Sequence, residues 1–326
     1  MKVVITGACG FIGRQLIAEL ETRGHELRLL DMTRPEEATV FRGQTREHIP
    51  LQTDWPFVQA EITDEAAMVA ACDGMDAVVH LAGEPRGLPE LAVATFESNA
   101  LGTFVAIDSA KHSGVGRFLC ASSINAYGTF FWRLSGRAAP YASMPLDEGF
   151  DPVPEDPYSL SKLVNEKTCA AYNRAYGMTA LAFRFAGVWT SERYEQAVSD
   201  GLPPTTAWSD DLYQWVHVED VAQGLRQALE NEALTGYGVF TLGAGDTRCP
   251  EPTRQLLQRL RPDLEVVGKL PGRAPLLSIA AAQAAIADAR AADLERNLVE
   301  AREAYANDAV AEGRAARAAA RALVEA

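Results

Sequence analysis

The sequence predicts an α/β fold built on a doubly wound parallel sheet, extended by a smaller C-terminal region and an alanine-rich helical tail. Apolar runs alternate with helical segments along residues 1 to about 245, which is the order of elements in a parallel sheet covered on both faces. The first apolar run leads directly into a glycine-rich turn, and the second ends in an acid. Strand, glycine-rich turn, helix and strand in this order are typical of nucleotide-binding α/β sheets.

The glycine-rich turn comes first in the chain. Gly7, Gly10 and Gly13 follow the first strand at regular spacing, and a helix begins at Phe11. The first glycine permits the tight turn, the second lets a pyrophosphate approach the backbone, and the third lets the helix pack closely on the strand. The N–H groups at Phe11 and Ile12 would hold the anion. This pattern predicts a dinucleotide-binding site.

The second strand, residues 25–31, ends at Asp31, roughly 20 residues after the glycine-rich turn. A carboxylate at this position can accept hydrogen bonds from both hydroxyls of the adenosine ribose, and it would repel the 2′-phosphate of NADP. The guanidinium of Arg34 would instead favour NADP, because it could pair with that phosphate. We weight Asp31 more heavily, and the sequence therefore predicts NAD as the cofactor.

Beyond Asp31 the elements follow in alternation. Residues 32–54, rich in charged side chains and proline, predict a loop or an irregular segment. An ordered loop over the site is expected at 127–157 and a substrate-side insertion at 188–201. Further strands are predicted at 58–62, 76–83, 117–123, 178–185, 215–218 and 237–242, and helices at 66–72, 90–113, 158–176, 219–231 and 252–260.

A second turn of small residues ends the strand at 76–83. Ala82 and Gly83 lie at its mouth. Small side chains there would let the pyrophosphate and ribose of the cofactor pass without a clash with a Cβ atom. We therefore assign this turn to the cofactor site.

The helix at 158–176 carries a candidate catalytic pair. Tyr158 and Lys162 are four residues apart and so share one face of the helix, about one turn apart. An ammonium group held there is expected to lower the pKa of the phenol toward working pH. Ser123 ends the strand at 117–123 and would supply a hydroxyl at the carboxyl edge of the sheet, where open α/β folds bind ligands.

Five motifs of the chain resemble the extended short-chain dehydrogenases, also described as NAD-dependent epimerases/dehydratases, and they follow the order of that family. They are Thr6-Gly7-Ala8-Cys9-Gly10-Phe11-Ile12-Gly13, His80-Leu81-Ala82-Gly83, Ser122-Ser123-Ile124-Asn125-Ala126-Tyr127-Gly128, Tyr158-Ser159-Leu160-Ser161-Lys162 and Trp215-Val216-His217-Val218-Glu219-Asp220-Val221-Ala222. The resemblance implies a Rossmann sheet. It implies that Tyr158 is the acid/base, that Lys162 binds the nicotinamide ribose and tunes Tyr158, and that Ser123 orients the substrate oxygen.

The same resemblance adds residues to the cofactor site. Leu81 joins Ala82 and Gly83 in the second turn. Asn99 matches an asparagine that lies near the site in the family, although a helix kink or cap is an equally good interpretation. Glu61 and Ile62 match the pair that contacts adenine, where the family usually has Asp in place of Glu; this difference leaves the side-chain contact open.

The residues at two positions reduce the number of reactions that the resemblance allows. Ile124 and Asn125 follow Ser123, where sugar-nucleotide dehydratases of the family have the acids that eliminate water. Decarboxylating members keep a Glu at the second of these positions, where this chain has Asn125. The resemblance therefore disfavours both elimination and decarboxylation. Hydride transfer remains, in an epimerase or in a dehydrogenase acting on a sugar or nucleotide sugar. The alternative is a catalytically silent NAD(P)-binding sensor or scaffold of the same fold, against which the intact Ser123, Tyr158 and Lys162 argue.

Other side chains are open to two interpretations. Arg184, near the end of the strand at 178–185, could reach a substrate phosphate or carboxylate, or could pair with an acid of the chain. Aromatic residues could stack on a sugar or pack in the core. These are Trp132, Trp189, Trp208 and Trp215.

Composition disfavours several classes of protein. The 326 residues carry a formal net charge of −14, which argues against a nucleic-acid partner because phosphate backbones require clustered Lys and Arg. Five scattered cysteines indicate neither a metal site nor a disulfide framework, as expected for a cytoplasmic protein. The sequence contains no apolar run of about 18 residues, so it predicts no membrane span. We expect a small-molecule substrate, a sugar derivative, and a homodimer through paired helices, which is common in the family that the chain resembles.

The chain divides into three predicted regions. Residues 1–187 form the NAD-binding Rossmann domain with the catalytic residues, and 188–278 a substrate-binding region interleaved with the core. The alanine-rich tail, 279–326, contains no proline and a single glycine, Gly313. Because alanine has the highest helix propensity, one or two long helices are expected there, with a partly disordered low-complexity tail as the alternative.

Overall fold

The computed structural model describes residues 1–42, 45–129 and 133–286, and a seven-stranded parallel sheet lies at its centre. In chain order the strands are β1 (Lys2–Thr6), β2 (Glu26–Asp31), β3 (Thr39–Arg42), β4 (Thr45–His48), β5 (Phe57–Gln59), β6 (Ala77–His80), β7 (Arg117–Ser123), β8 (Ser143–Met144), β9 (Thr179–Phe185), β10 (Val188–Trp189), β11 (Val216–His217), β12 (Tyr237–Leu242) and β13 (Glu265–Val266). The α-helices are α1 (Phe11–Glu21), α2 (Glu65–Cys72), α3 (Ala92–Phe96), α4 (Gly102–His112), α5 (Pro157–Tyr176), α6 (Ser191–Asp200), α7 (Val218–Glu230), α8 (Thr253–Leu260) and α9 (Ala280–Ile286).

The main sheet has the strand order β12-β9-β7-β6-β1-β2-β5, and all neighbours are parallel. From β1 the chain adds β2 and β5 on one side, then places β6 on the other side of β1 and continues outward to β12. The strand order therefore reverses between β1 and β6, and a crevice opens at such a switch point beyond the carboxyl ends of the strands. The predicted doubly wound parallel sheet is confirmed.

Both faces of the sheet are covered. Val3 of β1 belongs to a cluster with Leu16 of α1 and Leu225 of α7, whereas Val4 belongs to a cluster with Met68 of α2. All five side chains are fully buried. Because successive residues of a strand face opposite sides, two covered faces require the unbroken apolar run that predicted β1.

The segment after β2 differs from its prediction. Residues 32–54, expected to be irregular, contain a 3₁₀ turn at Pro35–Glu37 and the antiparallel hairpin of β3 and β4. Residues 46–48 of β4 are exposed, so this strand has the polar composition of a loop. Arg14 of α1 holds the chain after the hairpin, because its guanidinium donates to the carbonyl oxygens of Ile49 and Pro50.

The third predicted strand is displaced toward the N-terminus. It was expected at 58–62, whereas β5 pairs with β2 only through Phe57, Val58 and Gln59. Ile62 lies in the turn before α2, where it is buried. Ile62 is apolar because it packs between elements. The prediction that the strand extends to Ile62 is therefore wrong.

The helix predicted at 90–113 is interrupted. It begins with a 3₁₀ turn at Pro89–Leu91, and a π-helical turn at Glu97–Leu101 joins α3 to α4. Asn99 is fully buried within the π-helical turn. Such turns accommodate an extra residue and occur frequently at functional sites.

The C-terminal part contributes both to the main sheet and to structure beyond its carboxyl edge. β12 lies in the main sheet, while β10 and β11 pair with each other. The predicted tail begins as α9, and its remainder, 287–326, lies outside the described residues. The division into three regions stays a prediction. None of the helices described is long and apolar enough to cross a membrane.

Candidate active site

The glycine-rich turn joins β1 to α1 at the switch point. Gly7 has a φ of +70°, in the left-handed region, and a Cβ atom there would lie 2.7 Å from the backbone nitrogen of Ala82. A Cβ atom on Gly13 would overlap the carbonyl oxygen of Gly7. Both positions therefore require glycine, one for the turn and one for the packing of α1.

Gly10 lies on the open side of this turn. It is exposed, and within the described chain a Cβ atom there would meet only the carbonyl oxygen of Gly7, at 3.2 Å. Gly10 is also the N-cap of α1, and among the described residues no side chain caps the helix there. The N–H groups of Phe11 and Ile12 thus begin an uncapped helix beside open space, which fits the pyrophosphate of a dinucleotide.

Asp31 ends β2 beside the glycine-rich turn. One carboxylate oxygen accepts a hydrogen bond from the N–H of Cys9 and the other from the N–H of Thr33, each at 3.0 Å. Desolvation raises the pKa of Asp31, and these backbone hydrogen bonds oppose that shift. A carboxylate oxygen can accept more than one hydrogen bond, so both retain capacity for ribose hydroxyls. Arg34, which could have paired with the 2′-phosphate of NADP, donates instead to the side chain of Gln59 at 2.8 Å.

The second turn packs against the first. The N–H of Leu81 donates to the carbonyl oxygen of Thr6 at 3.2 Å. A Cβ atom on Gly83 would lie 2.7 Å from Oδ1 of Asn99 and 3.7 Å from Nζ of Lys162. The second turn therefore leads from the glycine-rich turn to Asn99 and to Lys162 of α5.

Ser123, Tyr158 and Lys162 converge at the carboxyl end of β7. Ser123 is the last residue of β7, and its hydroxyl is hydrogen-bonded to that of Tyr158. Tyr158 lies in the first turn of α5, which the carboxylate of Asp156 caps. One turn later, Nζ of Lys162 donates to the carbonyl oxygen of Ala121 at 3.0 Å and lies 5.5 Å from the centre of the Tyr158 ring.

The pKa of Tyr158 shifts in the direction opposite to the prediction. Desolvation raises the pKa to about 12, and the carboxylates of Asp156 and Glu84 add to the increase, while the hydrogen bond with Ser123 opposes it. Desolvation also lowers the pKa of Lys162. The expected lowering of the phenol pKa by the ammonium group is therefore wrong for this structure. At neutral pH the phenol is protonated and can donate a proton.

Sequence reasoning missed Glu84, which follows the second turn. Asn99 holds its backbone, because Oδ1 accepts from the Glu84 N–H at 2.7 Å and Nδ2 donates to the Glu84 carbonyl oxygen at 3.0 Å. The carboxylate pairs with Arg86 at 2.6 Å and is close enough to Tyr158 to raise its pKa. Its position next to Gly83 was the only signal for it in the sequence.

The predicted adenine-contacting residues lie after β5. The side chain of Ile62 packs against α4, where a Cβ atom on Gly102 would lie 2.5 Å from its Cδ1 atom. Glu61 is exposed. The side chain of Ile62 is used in packing, and the role of the pair in contacting adenine stays a prediction.

Other candidates from the sequence belong to the core. Arg184 pairs with Glu166 through two hydrogen bonds of 2.8 Å, and both side chains are 3% exposed. Trp189 and Trp215 are buried, while Trp208 is partly buried. Trp132 lies outside the described residues. Arg184 is therefore committed to an ion pair of the chain itself.

The crevice and the Tyr158 group together define an NAD-dependent enzyme of the extended short-chain dehydrogenase type. The chain belongs to the NAD dependent epimerase/dehydratase family, whose model matches residues 3–243. This membership confirms the predicted family and the predicted cofactor, NAD. Within residues 1–42, 45–129 and 133–286, no group of three or more His, Cys, Asp or Glu side chains is placed to hold a metal ion.

Two individual enzymes and one solved structure illustrate what the chain is similar to. A dTDP-glucose 4,6-dehydratase from Actinoplanes sp. is 27% identical over 267 residues, which cover 75% of this chain and 77% of the relative. A UDP-glucose 4-epimerase from Corynebacterium glutamicum is 23% identical over 273 residues, 76% of each chain. The crystal structure of a short-chain dehydrogenase/reductase superfamily protein from Agrobacterium tumefaciens, with bound NAD, has a TM-score of 0.64 at 21% identity and covers 96% of this chain and 100% of its own. This last likeness shows the fold.

Proposed function

We propose that the protein is an NAD-dependent oxidoreductase or epimerase that acts on a sugar or nucleotide sugar by hydride transfer, with Tyr158 as the acid/base. The convergence of Ser123, Tyr158 and Lys162 beside the second turn carries this proposal. A module that only binds NAD has no need of all three groups. Two relatives are named for reactions of nucleotide-linked glucose, which supports a substrate of the sugar type.

The residues of the crevice would hold the cofactor. The backbone at Gly10, Phe11 and Ile12 would receive the pyrophosphate, Asp31 would bind the adenosine ribose, and Lys162 would bind the nicotinamide ribose. When bound, NAD supplies the ring that accepts or returns a hydride.

Tyr158 would handle the proton at its phenolic oxygen. Its hydrogen bond with Ser123 places two hydroxyls side by side, so one substrate oxygen can bind to both. In the oxidation direction the phenolate takes the proton of the substrate hydroxyl, and in the reduction direction the phenol gives it to the carbonyl oxygen. Ile124 and Asn125 are buried and uncharged next to Ser123, so neither can eliminate water. This supports hydride transfer without dehydration.

Tyr158→Phe tests the proposal, since it keeps the ring and removes the hydroxyl. We expect turnover to fall about 10²- to 10⁴-fold, the usual contribution of a general acid/base, while NAD binding persists. NADH absorbance and isomer exchange over a panel of sugars, uronates and nucleotide sugars measure turnover, and calorimetry measures NAD binding. Tyr176→Phe, at the exposed end of the same helix, is the matched control and should remain active.

Two results would change the assignment. Full activity of the Tyr158→Phe variant would show that another group carries the proton. A wild-type protein that binds NAD tightly but neither changes NADH nor exchanges isomers with any member of the panel would favour the sensor or scaffold. Mass spectrometry of the purified protein separates the enzyme classes, because retained NAD favours an epimerase and an exchangeable cofactor a dehydrogenase.

We further propose that the protein is a homodimer. Large apolar side chains are exposed on neighbouring helices: Val93 and Phe96 on α3, Phe104 on α4 and Leu160 on α5, with Leu101 in the π-helical turn. Contiguous exposed apolar residues are typical of an interface. Light scattering should therefore give the mass of a dimer.

The double substitution of Leu101 and Phe104 by Glu tests this interface. We expect it to shift the protein to the monomer, because two charges from each subunit would be buried at the interface. Val267→Glu, a substitution at a residue that is 55% exposed in another part of the surface, should leave the dimer intact. A monomeric wild-type protein would contradict the proposal.

A further inference from the structure

His80 is the last residue of β6, and the second turn begins directly after it. Its side chain is 1% exposed and lies on the face of the sheet that α4 and α5 cover. The ring of Phe118 stacks on the imidazole with the ring centres 5.8 Å apart. A buried imidazole needs hydrogen-bond partners for its two nitrogens. The partners of His80 therefore indicate what this residue does, since the proposed function gives it no role.

Two threonine hydroxyls flank the imidazole of His80. Nδ1 lies 2.8 Å from Oγ1 of Thr6, and Nε2 lies 3.1 Å from Oγ1 of Thr103. Oγ1 of Thr6 accepts a hydrogen bond from the N–H of Ala82 at 3.3 Å, and within the described chain Nδ1 of His80 is the only acceptor for the proton of that hydroxyl. Thr6 therefore donates to Nδ1. The imidazole proton then lies on Nε2, which donates to Thr103.

Asn165 extends these hydrogen bonds to α5. With its amide oxygen toward Thr103, it accepts the Thr103 hydroxyl at 3.0 Å, and its amide nitrogen donates to the carbonyl oxygens of Asn99 and Ser161 at 3.1 and 2.9 Å. The opposite orientation would set the amide oxygen against both carbonyl oxygens. The hydrogen bonds thus run in one direction, from the N–H of Ala82 to the backbone of α5.

A second set of hydrogen bonds closes this path into a loop. The side chain of Asn99 accepts from the N–H of Glu84, donates to the Glu84 carbonyl oxygen, and donates to the hydroxyl of Ser161 at 3.0 Å. The second turn is therefore joined to α5 both through Ala82 and through Glu84. Buried networks whose groups are all paired hold one geometry. The side chains of this loop, here called the His80 network, are each at most 1% exposed; they are Thr6, His80, Asn99, Thr103, Ser161 and Asn165.

The His80 network requires an uncharged imidazole. A protonated imidazole donates from both nitrogens, so it could not accept the hydroxyl of Thr6. Burial and the charge of Lys162 on α5 lower the pKa of His80 to about 3. Cys120 of β7 is its ionisable neighbour within the sheet. The direction of the hydrogen bonds and the surroundings of the imidazole thus favour the same neutral form.

We propose that His80, with its proton on Nε2, is a positioning residue that fixes the second turn relative to the start of α5. The inference rests on the proposed function, in which the second turn lies along the cofactor and α5 carries Tyr158 and Lys162. The His80 network sets the distance between these two parts of the site. A displacement of reacting groups by about 1 Å can lower a rate about 10²-fold. His80 acts through its hydrogen bonds and not by contact with the substrate.

Thr103→Val tests the His80 network. It keeps the shape of the side chain and removes the hydroxyl that His80 and Asn165 share. We expect the dissociation constant of NAD to rise about tenfold and turnover at saturating NAD to fall about tenfold, because the second turn and α5 are no longer held together. Thr103→Ser loses a methyl group but keeps the hydroxyl, and it should restore both values to within about twofold of the wild type. Calorimetry measures NAD binding, and initial rates over the panel of sugars measure turnover.

Thr253→Val is the matched control. Thr253 is fully buried on α8, and its hydroxyl donates to the carbonyl oxygen of Ala274 at 2.7 Å. This variant also loses one buried hydrogen bond, so its free energy of unfolding should fall as that of Thr103→Val does, while NAD affinity and turnover stay unchanged. Wild-type NAD affinity and turnover in Thr103→Val would overturn the proposal. A Thr103→Ser variant as impaired as Thr103→Val would also overturn it, because packing would then be the cause.

NMR of the NAD-bound protein with ¹⁵N-labelled histidine tests the position of the proton. Between about pH 5 and about pH 8 the His80 signal should show a proton on Nε2 alone, although an unperturbed imidazole gains its second proton near about pH 6.5. His80→Phe, which can still stack on Phe118, identifies the signal by its loss; should this variant not fold, the signal that Thr103→Val shifts identifies it. A proton on Nδ1, or on both nitrogens, would refute the inference.

A failure of the proposed function would look different. No sugar of the panel would then be turned over by the wild-type protein. The NAD affinities of the Thr103 variants and the His80 signal would still support or overturn the positioning role, because neither measurement requires turnover.

Discussion

The cofactor side and the substrate side of the crevice are built in different ways. On the cofactor side, backbone lies against backbone, as where Gly7 approaches the chain at Ala82. On the substrate side, side chains from distant parts of the sequence meet, as where Arg248 pairs with Asp211. The first arrangement follows from the spacing of glycines, whereas the second exists only after the chain has folded.

This difference explains why the cofactor can be inferred more readily than the substrate. Backbone N–H groups recognise a pyrophosphate, so the sequence need only supply glycine where the ligand approaches. Side chains recognise a substrate, and in the C-terminal part of the chain they are carried by elements far apart in the sequence, such as α6 and the loops before β11 and after β12. No local pattern connects those elements. Substitutions on each side of the crevice can test the comparison.

The largest expected effect concerns the ion pair that joins α5 to β9. Glu166→Gln leaves Arg184 charged and 3% exposed, and weakens the acceptor of the Ser122 hydroxyl. We expect the free energy of unfolding to fall by about 3–5 kcal/mol, because a buried charge loses its partner. Urea denaturation measures this. Glu26→Gln, which breaks the exposed pair with Lys2, should cost less than about 1 kcal/mol. Equal losses would show that burial of the pair does not matter.

Gly7→Ala tests the backbone contact on the cofactor side. Gly7 and Gly24 have φ values of +70° and +74°, but a Cβ atom would meet Ala82 at 2.7 Å in the first case and no described atom within 4 Å in the second. Gly24→Ala should cost only the strain of a left-handed residue, about 1 kcal/mol. Gly7→Ala should cost more and weaken NAD binding about tenfold or more, because the two turns must separate. Similar NAD affinities in both variants would contradict the role of this contact.

The raised pKa of Tyr158 predicts different pH profiles for the two reaction directions. Oxidation requires the phenolate, so kcat/KM should rise about tenfold per pH unit below a pKa of about 12. Reduction uses the protonated phenol and should be nearly independent of pH over the same range. Initial rates between about pH 7 and about pH 10 measure both profiles. An oxidation rate that is already constant near neutral pH would contradict a raised pKa in the working enzyme.

The smallest expected effect concerns Glu84. Its carboxylate raises the pKa of Tyr158, so Glu84→Gln should lower that pKa and move the oxidation profile to lower pH. Glu90→Gln, at an exposed residue of the following 3₁₀ turn, should leave the profile unchanged. A shift to higher pH in the Glu84 variant would show that the carboxylate acts on the site in another way.

The elements of the main sheet could be predicted where apolar runs have clear ends. β7 and β12 have the predicted bounds, 117–123 and 237–242. The hairpin of β3 and β4 could not be predicted, because its exposed strand has the composition of a loop. Ile62 was assigned to a strand because apolar residues in a strand and in an interhelical contact look alike in sequence. Local patterns therefore give the sheet but not the structure between its strands.

The same limit applies to the site. Gly7, Asp31, Tyr158 and Lys162 could be placed from the sequence, since each lies at a fixed spacing within one element or at its end. Glu84 could not, because its place depends on two hydrogen bonds with Asn99, which lies 15 residues later in the π-helical turn. The pKa of Tyr158 also depends on burial, which no spacing reveals.

The π-helical turn at Glu97–Leu101 makes the site depend on the length of a helix as well as on its side chains. Through this turn Asn99 reaches both Glu84 and Ser161, at 2.7 and 3.0 Å. Such a turn accommodates one extra residue within a helix. Deletion of one residue here would therefore join α3 to α4 as a regular α-helix and leave the two helices in their present orientation. The widened turn from which Asn99 reaches its two partners would be lost, so the length of this segment matters as much as its side chains.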